Sequence, residues 1–223
     1  MTSPLLVFDL DGTLLETAPD LVGTLNEILG DEGLKPIPLE VAKTYIGQGA
    51  KMMIENGFAA NEQTIGADRL NALMPVFLEK YEARIARETH AFPGLLNALD
   101  QLQQEGWDFA VCTNKHERLA RLLLEELDLT NRFVTITGGD TFAHKKPHPE
   151  HLLKTVALAG STAEQSIMVG DSRSDIDAAK AASIPVIAVD FGYTPVPVSD
   201  LGPDVVISHF DQIHDAIRSI SDR

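Results

Sequence analysis

The stretch VFDLDGTLLET, at Val7–Thr17, joins an apolar run to two aspartates that are one residue apart. The run Leu5–Phe8 predicts a buried strand, and Asp9 and Asp11 would point to the same face if that strand continued through both. Two negative charges held so close together repel each other unless positive charge or a shared proton lies between them. The stretch therefore predicts a cation, a transferred proton, or both, at the end of a buried strand.

The composition narrows the class of partner. The 223 residues fit one domain, or one domain with an insertion, and 44% hydrophobic with 23% charged residues is ordinary for a globular protein. Lys and Arg total 18 against 33 for Asp and Glu, which gives a formal net charge of −15. Without a basic stripe, such a chain is not expected to bind nucleic acid or an anionic membrane, although a small anion can still bind at a local positive spot.

The sequence also predicts a cytoplasmic protein. The single cysteine, Cys112, cannot form an intramolecular disulfide, and its place in the apolar run FAVC predicts a buried thiol. The first residues lack the basic region and long apolar segment of a secretion signal, and no apolar run is long enough to span a membrane. The sequence leaves open whether the protein is a monomer or a homodimer.

The two parts of the chain differ in their predicted elements. Before residue 90 the apolar spacing predicts a series of helices, the last over Gly66–Ala86, and no strand is expected between Thr13 and Gly106. From residue 107 onward, strands rich in Val and Ile alternate with helices: WDFAVCT, RFVTITG, SIMVG, PVIAVD and DVVIS. This alternation predicts parallel strands joined by right-handed crossovers.

The predicted architecture is a doubly wound α/β core with a Rossmann-like parallel sheet. Residues 1–15 and 91–223 would form this core, and residues 16–90 would form an all-helical insertion. The stretch AFPG, at Ala91–Gly94, is expected to return the chain to the core. In such sheets ligands bind at the carboxyl ends of the strands. The polar residues that follow the first four core strands are therefore candidate site residues: Asp9 and Asp11, Thr113 and Asn114, Lys145 and Lys146, and Asp171 and Asp175.

This set of side chains suits phosphoryl transfer. One carboxylate can attack phosphorus, and a second can protonate the leaving oxygen and later deprotonate water. A hard divalent cation, bound by carboxylates, offsets the crowded negative charge. The phosphoryl oxygens can be bound and stabilised by a threonine hydroxyl, by backbone N–H groups at the start of a helix and by a lysine.

In order and spacing, four motifs resemble those of the haloacid dehalogenase superfamily, within its phosphatases that carry a helical cap after the first motif. The motifs are DLDGT, TN, the lysine before Pro147, and GDSRSD. The resemblance implies that Asp9 is the nucleophile and Asp11 the general acid/base. It also implies that Thr113 and Asn114 bind the phosphate and that Lys146 stabilises it. It also implies Mg²⁺, held by Asp9, the backbone carbonyl of Asp11 and Asp171, with Asp175 nearby in a supporting role.

More narrowly, CTNK, KKPHP, GDSRSDIDAAKAA and the later FGY resemble bacterial phosphoglycolate phosphatases. This resemblance implies a small phosphorylated metabolite, 2-phosphoglycolate, as the substrate. The turn Gly47, Gln48 and Gly49, which runs into a helix at Lys51, could bind the substrate carboxylate through backbone N–H groups and one ammonium. The simpler alternative is a flexible turn between two helices.

Several alternatives stay open at this stage. A phosphomutase of the β-phosphoglucomutase kind and a sugar-phosphate phosphatase would share the motifs and the insertion. A non-catalytic, phosphate-responsive receiver module fits less well, because a receiver carries its acceptor aspartate at the third of five evenly alternating strands. Lys146 is preferred to Lys145 on the resemblance alone. His144, His148 and His151 could suggest zinc, but surface histidines are the expected interpretation.

Overall fold

The computed structural model describes residues 3–47 and 49–222, and its centre is a parallel β-sheet. Among the described residues this sheet has six strands, and all its neighbouring pairs run parallel. Their spatial order is β5 (Thr135–Thr137), β4 (Asp108–Cys112), β1 (Leu5–Phe8), β6 (Ser166–Gly170), β7 (Val186–Val189) and β8 (Val205–Ile207). The predicted Rossmann-like α/β core is therefore confirmed.

Helices cover both faces of this sheet because successive strand residues point to opposite sides. In β1, Leu6 and Phe8 join one hydrophobic cluster, whereas Leu5 and Val7 join the other. The thiol of Cys112 is buried in the second cluster, as predicted. The helices of the described residues are α1 (Ala18–Asp31), α2 (Leu39–Ala42), α3 (Ala50–Ala60), α4 (Ala67–Glu82), α5 (Leu95–Gln104), α6 (Glu117–Glu126), α7 (Pro149–Leu158), α8 (Arg173–Ala181) and α9 (Ile213–Ser221).

The position of β1 in the sheet sets the position of the site. Phe8, its last residue, pairs with Val111 of β4 on one side and with Val169 of β6 on the other. Because parallel strands end at the same edge, the residues that follow these three strands come together there. The strand order also reverses at β1, and such a switch point opens a crevice at the carboxyl edge.

The prediction that no strand lies between Thr13 and Gly106 was wrong. A short strand β2 (Leu15–Glu16) pairs antiparallel with β3 (His90–Ala91), outside the main sheet. Strands of two residues are too short to show a period-two pattern, so no sequence signal could reveal them. The ribbon pairs the segment that enters the insertion with the segment that leaves it. The two predicted boundaries, between residues 15 and 16 and between residues 90 and 91, fall within its strands.

Along the chain, the helices α1–α4 come between β2 and β3, and they pack on one another. Gly57 of α3 lets that helix approach α1 closely, since a Cβ there would lie 2.9 Å from Leu25 Cδ1. α4 continues through Pro75 as one helix. Within the described part of the chain, none of the helices combines the length and apolar character needed to span a bilayer. The division of the chain into a core and a separate helical domain stays a prediction.

Asp20 ties the start of the insertion to its end. Its buried Oδ2 accepts hydrogen bonds from the N–H groups of Glu88 and Thr89 and from the Thr89 hydroxyl, each at 2.9 Å. Arg84 Nε lies 3.4 Å from Oδ1 and supplies positive charge. One carboxylate thus satisfies several donors beside β3.

We expect Asp20→Ala to lower the free energy of unfolding by about 3–5 kcal/mol, because it leaves buried donors and a guanidinium without their partner. The matched control is Asp31→Ala, which removes an exposed carboxylate 3.2 Å from Lys80 and should cost less than about 1 kcal/mol. Urea denaturation of both variants measures the difference. Equal losses in the two variants would contradict the anchoring role of Asp20.

Candidate active site

Three aspartates form a buried cluster at the carboxyl edge of the sheet. Asp9 follows β1, Asp171 follows β6, and Asp175 lies in the first turn of α8. Each is at most 5% exposed, and one oxygen from each lies within 4.8 Å of the others. Burial raises the pKa of Asp9 to about 6, and burial together with the neighbouring carboxylates raises the pKa of Asp171 well above its ordinary value. The cluster therefore carries the charge repulsion expected from the sequence, although the carboxylate of Asp11 is not part of it.

Lys146 supplies positive charge to this cluster. Its Nζ lies 2.9 Å from Asp9 Oδ1 and donates a hydrogen bond of 2.6 Å to Asp175 Oδ1, and its side chain is 1% exposed. Burial acts to lower the pKa of Lys146, but Asp175 and Asp9 outweigh it and raise the pKa above its ordinary value. Lys145 is exposed on the cavity beside Gly49. The preference for Lys146 over Lys145 thus has a geometric basis.

Asp175 is held by both of its oxygens. While Oδ1 accepts from Lys146, Oδ2 accepts from Ser172 N at 3.0 Å and from Ser172 Oγ at 2.6 Å, which forms a capping box at the start of α8. Gly170 leaves room for it, since a Cβ there would lie 2.4 Å from that of Asp175. These contacts favour a supporting role for Asp175 at a metal site.

Asp171 is positioned by residues from two distant parts of the chain. Its oxygens accept from Thr13 Oγ1 at 3.1 Å and from the backbone N–H of Tyr193 at 2.8 Å. Cβ atoms at Gly12 and Gly192 would approach it to 2.7 Å and 2.2 Å. The glycine of DLDGT therefore gives Asp171 its space.

Tyr193 also connects the site to the insertion. Its hydroxyl accepts from the N–H groups of Thr17 and Ala18 at 2.8 and 3.0 Å and donates to Glu16 Oε1 at 2.6 Å. Sequence reasoning used FGY only as a mark of resemblance and missed this role. No local pattern could have shown a hydrogen bond that joins residues about 176 positions apart.

Asp11 lies outside the buried acidic cluster and pairs with Lys115 instead. Lys115 Nζ donates to Asp11 Oδ1 at 2.8 Å and lies 4.4 Å from the centroid of the Tyr81 ring. The Lys115 side chain is 5% exposed. Sequence reasoning missed Lys115, although it is the last residue of CTNK and directly follows two candidate site residues. The predicted metal contact of Asp11 through its backbone carbonyl stays a prediction.

Thr113 and Asn114 follow β4, as predicted, but their side chains differ in what they offer. Thr113 is buried beside the cavity and its Oγ1 accepts from the N–H of Lys115 at 3.2 Å. Asn114 Nδ2 donates to the carbonyls of Gly47 at 3.2 Å and Lys146 at 3.0 Å. Both N–H groups of the amide therefore donate hydrogen bonds within the protein. The predicted role of Asn114 as a phosphate ligand would require one of these hydrogen bonds to break.

A cavity of about 200 Å³ separates the sheet edge from the insertion. The core lines it with polar groups that include Asp9, Asp11, Thr113 and Lys115, and helices of the insertion line it with apolar side chains such as those of Met53, Met74 and Phe77. The predicted substrate contacts Gly47, Gly49 and Lys51 also line it, with Gly49 and Lys51 at the N-terminus of α3. Gln48, the other predicted contact, lies outside the described residues.

The acidic cluster fits a hard divalent cation. Its ligand atoms are buried carboxylate oxygens, which Mg²⁺ prefers. One lysine also leaves part of the charge of three carboxylates uncompensated. The residues present therefore suit the divalent metal that the sequence predicts.

The three histidines near Lys146 do not share one environment. His144 and His148 are exposed, as expected, and their rings stack at 4.2 Å beside Glu150. For His151 the expectation of a surface position was wrong: it is fully buried, and neither ring nitrogen has a hydrogen-bond partner among the described residues. It lies on the face of α7 that packs on the sheet, and Phe142 contacts it edge-on at 5.8 Å.

Comparisons with known proteins agree with this geometry. Residues 6–189 match the haloacid dehalogenase-like hydrolases. The chain belongs to this family. It is 46% identical to a phosphoglycolate phosphatase of Agrobacterium fabrum, over 96% of this chain and 92% of that one, and 44% identical to one of Mesorhizobium japonicum, over 96% and 94%. A crystal structure from Haemophilus somnus, described as a predicted phosphoglycolate phosphatase, matches with a TM-score of 0.90 and 27% identity over 97% of this chain and 99% of that one.

The resemblance predicted from the four motifs is thereby confirmed for the family. The chain is an enzyme of the phosphoric monoester hydrolase class, similar to phosphoglycolate phosphatases. The comparisons do not assign roles to individual residues. The predicted roles of Asp9, Asp11, Thr113 and Lys146 therefore stay predictions.

The environment of His151 predicts a pH dependence of stability. Burial, with a smaller contribution from the charge of Lys146, lowers the pKa of His151 to about 4 from an ordinary value near 6.5. The folded state thus holds the neutral ring, and the resulting stability is complete above about pH 6.5 and lost as the pH falls toward 4. At about 1.4 kcal/mol per pH unit the loss amounts to about 3 kcal/mol.

Urea denaturation between pH 7 and pH 4.5 checks this expectation. His151→Leu should reduce the loss of stability over this range by about 2–3 kcal/mol relative to the unsubstituted protein. His90→Ala, which removes an exposed histidine, should leave the pH dependence unchanged. The same pH dependence in His151→Leu and in the unsubstituted protein would show that the ring is not held neutral.

Proposed function

We propose that this phosphatase hydrolyses 2-phosphoglycolate to glycolate and phosphate through an aspartyl-phosphate on Asp9, with Mg²⁺ as its cofactor. One observation supports the proposal most directly. Asp9 lies in a buried acidic cluster, 2.9 Å from Lys146 Nζ, and lines a small cavity. A carboxylate in that position can attack phosphorus, and a buried ammonium beside it stabilises the phosphoryl charge. The names of the relatives support the choice of substrate.

The reaction would proceed in two steps. An oxygen of Asp9 attacks phosphorus while Asp11 gives its proton to the ester oxygen, so that glycolate leaves and the phosphoryl group stays on Asp9. Asp11 then takes a proton from water, and the water oxygen attacks phosphorus to release phosphate and regenerate Asp9. During both steps Lys146 would offset charge on the phosphoryl oxygens and the Thr113 hydroxyl would donate to one of them.

Asp9, Asp171 and the backbone carbonyl of Asp11 would hold Mg²⁺, with Asp175 in its supporting role. A bound Mg²⁺ ion offsets the charge of the carboxylates and polarises a phosphoryl oxygen. The hydrogen bonds of Asp171 to Thr13 and to Tyr193 would fix the direction in which its carboxylate points. The metal ligands would then lie at the carboxyl edge of the sheet.

The cavity favours a compact substrate. At about 200 Å³ it suits a small ester, and the net charge of −15 disfavours a nucleic-acid substrate. We propose that residues 16–90 act as a cap domain that excludes water from the site during the reaction. The N-terminus of α3, with Gly47, Gly49 and Lys51 on the cavity, would attract the carboxylate of the substrate. The enzyme would act in the cytoplasm.

A comparison of substrates tests the proposed function. The values of kcat/KM for 2-phosphoglycolate, hexose phosphates, nucleotides and pyridoxal phosphate are measured with Mg²⁺ by release of phosphate. We expect 2-phosphoglycolate to give the highest value. A hexose phosphate hydrolysed at least as efficiently would overturn the choice of substrate, and isomerisation of glucose 1-phosphate without release of phosphate would favour a mutase.

Asp9→Asn tests the nucleophile. The amide has nearly the shape of the carboxylate but is a poor nucleophile, so we expect kcat to fall by at least about 10⁴-fold. Circular dichroism should show an unchanged fold, and mass spectrometry should exclude deamidation back to aspartate. Appreciable turnover by intact, folded variant protein would refute the role of Asp9.

The two adjacent lysines form a matched pair for mutation. Lys146→Ala removes the ammonium that contacts Asp9 and should lower kcat by about 10²-fold or more, whereas Lys145→Ala removes an exposed side chain and should lower it only a few-fold. Steady-state kinetics are measured at a temperature at which both variants are folded by circular dichroism. Similar small losses in both variants would show that Lys146 has no catalytic role.

A further inference from the structure

Lys115 is a buried cation for which the proposed mechanism has no use. Its ammonium group carries three N–H donors, and it donates one hydrogen bond of 2.8 Å to Asp11 Oδ1. Burial acts to lower the pKa of Lys115, but Asp11 and Tyr81 outweigh burial and raise it above its ordinary value. The group therefore stays charged on the cavity wall, where the donors that Asp11 does not use can reach a bound ligand.

Tyr81 offers a second donor next to it. This residue belongs to α4, its side chain is 1% exposed, and its hydroxyl is buried without a hydrogen-bond partner among the described residues. Burial raises the pKa of Tyr81 to about 12, so the hydroxyl keeps its proton. Because buried hydroxyl groups in folded proteins rarely lack a partner, the Tyr81 hydroxyl indicates a ligand atom at this point of the cavity.

The chemistry of the substrate places a carboxylate at this point. A general acid must lie within about 2.6–3.2 Å of the ester oxygen that it protonates. In a phosphorylated 2-hydroxy acid one carbon separates that oxygen from the carboxylate, whose oxygens thus lie within about 4 Å of it. Since Lys115 Nζ is 2.8 Å from Asp11 Oδ1, the carboxylate would be within reach of Lys115. Lys51, by contrast, is exposed where it borders the cavity.

We propose that Lys115 and the Tyr81 hydroxyl bind the carboxylate of the substrate and select phosphate esters that carry a second negative charge next to the ester oxygen. This inference rests on the proposed function, but it assigns the substrate carboxylate to Lys115 and Tyr81 instead of to the N-terminus of α3. The Lys115 ammonium is shared between Asp11 and the substrate carboxylate. Lys115 follows β4 of the core and Tyr81 belongs to the insertion, so the site is complete only when α4 lies against the sheet edge.

The test compares two esters of similar size, 2-phosphoglycolate and 2-hydroxyethyl phosphate, which lacks the carboxylate. The readout is the ratio of their kcat/KM values, because a general loss of activity affects both esters. We expect Lys115→Met to lower this ratio by about 10- to 100-fold, as is typical for the loss of a hydrogen bond to a charged group. Tyr81→Phe should lower it by about 5- to 10-fold while the ring that packs in the cavity is kept.

Three further measurements make the result decisive. Lys154→Met, which removes a lysine far from the cavity on the exposed side of α7, should leave both rates unchanged. Lys115→Arg should restore part of the ratio because it restores the charge. Lys51→Met tests the α3 site, and a larger fall of the ratio in this variant than in Lys115→Met would overturn the inference.

The unsubstituted protein separates the two proposals. If it hydrolyses 2-hydroxyethyl phosphate as efficiently as 2-phosphoglycolate, the proposed substrate is wrong and the inference falls with it. If it prefers 2-phosphoglycolate and both Lys115→Met and Tyr81→Phe keep that preference, the proposed function stands and the inference is overturned. Circular dichroism confirms that each variant is folded, and Tyr81→Phe alone decides the case if Lys115→Met does not fold.

Discussion

The mutual repulsion of three buried carboxylates is the constraint on which the site depends. Asp9, Asp171 and Asp175 come within 4.8 Å of one another because β1 and β6 are neighbours in a parallel sheet and end at the same edge. Burial makes their charges costly, and Lys146 compensates only part of them. The remaining charge suits the divalent cation that we propose for this centre. Close approaches at Gly12, Gly170 and Gly192 keep the carboxylates in place.

The same few residues also connect the core to the insertion. Asn114 donates a hydrogen bond to Gly47, and Lys115 contacts Tyr81. The Tyr193 hydroxyl accepts hydrogen bonds from N–H groups at the start of α1. Each of these core residues is next to, or in contact with, a candidate catalytic or metal-binding residue. A movement of α1–α4 relative to the sheet would therefore change contacts at the centre itself. This coupling supports the proposed cap, because the site would be complete only with the insertion seated on the cavity.

The sequence predicted the core and its polar strand ends because both follow from local patterns. Runs of Val and Ile mark the strands, and the parallel arrangement brings residues that follow them, such as Asp9 and Asp171, to one edge. Side-chain directions could not be predicted in the same way: Asp11 pairs with Lys115 outside the cluster, and His151 is buried although its neighbour His148 is exposed. Contacts between distant segments, such as Tyr193 with Thr17, leave no periodic signal, and a ribbon of two-residue strands is too short for one.

Phosphorylation of Asp9 is the step on which the proposed mechanism depends, and trapping the intermediate shows whether it occurs. Asp11→Asn is mixed with excess substrate and Mg²⁺ and quenched in acid within the first turnover, because loss of the general base should slow hydrolysis of the aspartyl-phosphate. Peptide mass spectrometry then locates any added phosphoryl group, and hydroxylamine tests whether it is an acyl phosphate. We expect one hydroxylamine-labile phosphoryl group on Asp9. A phosphoryl group on another residue, or none while phosphate is still released, would contradict it.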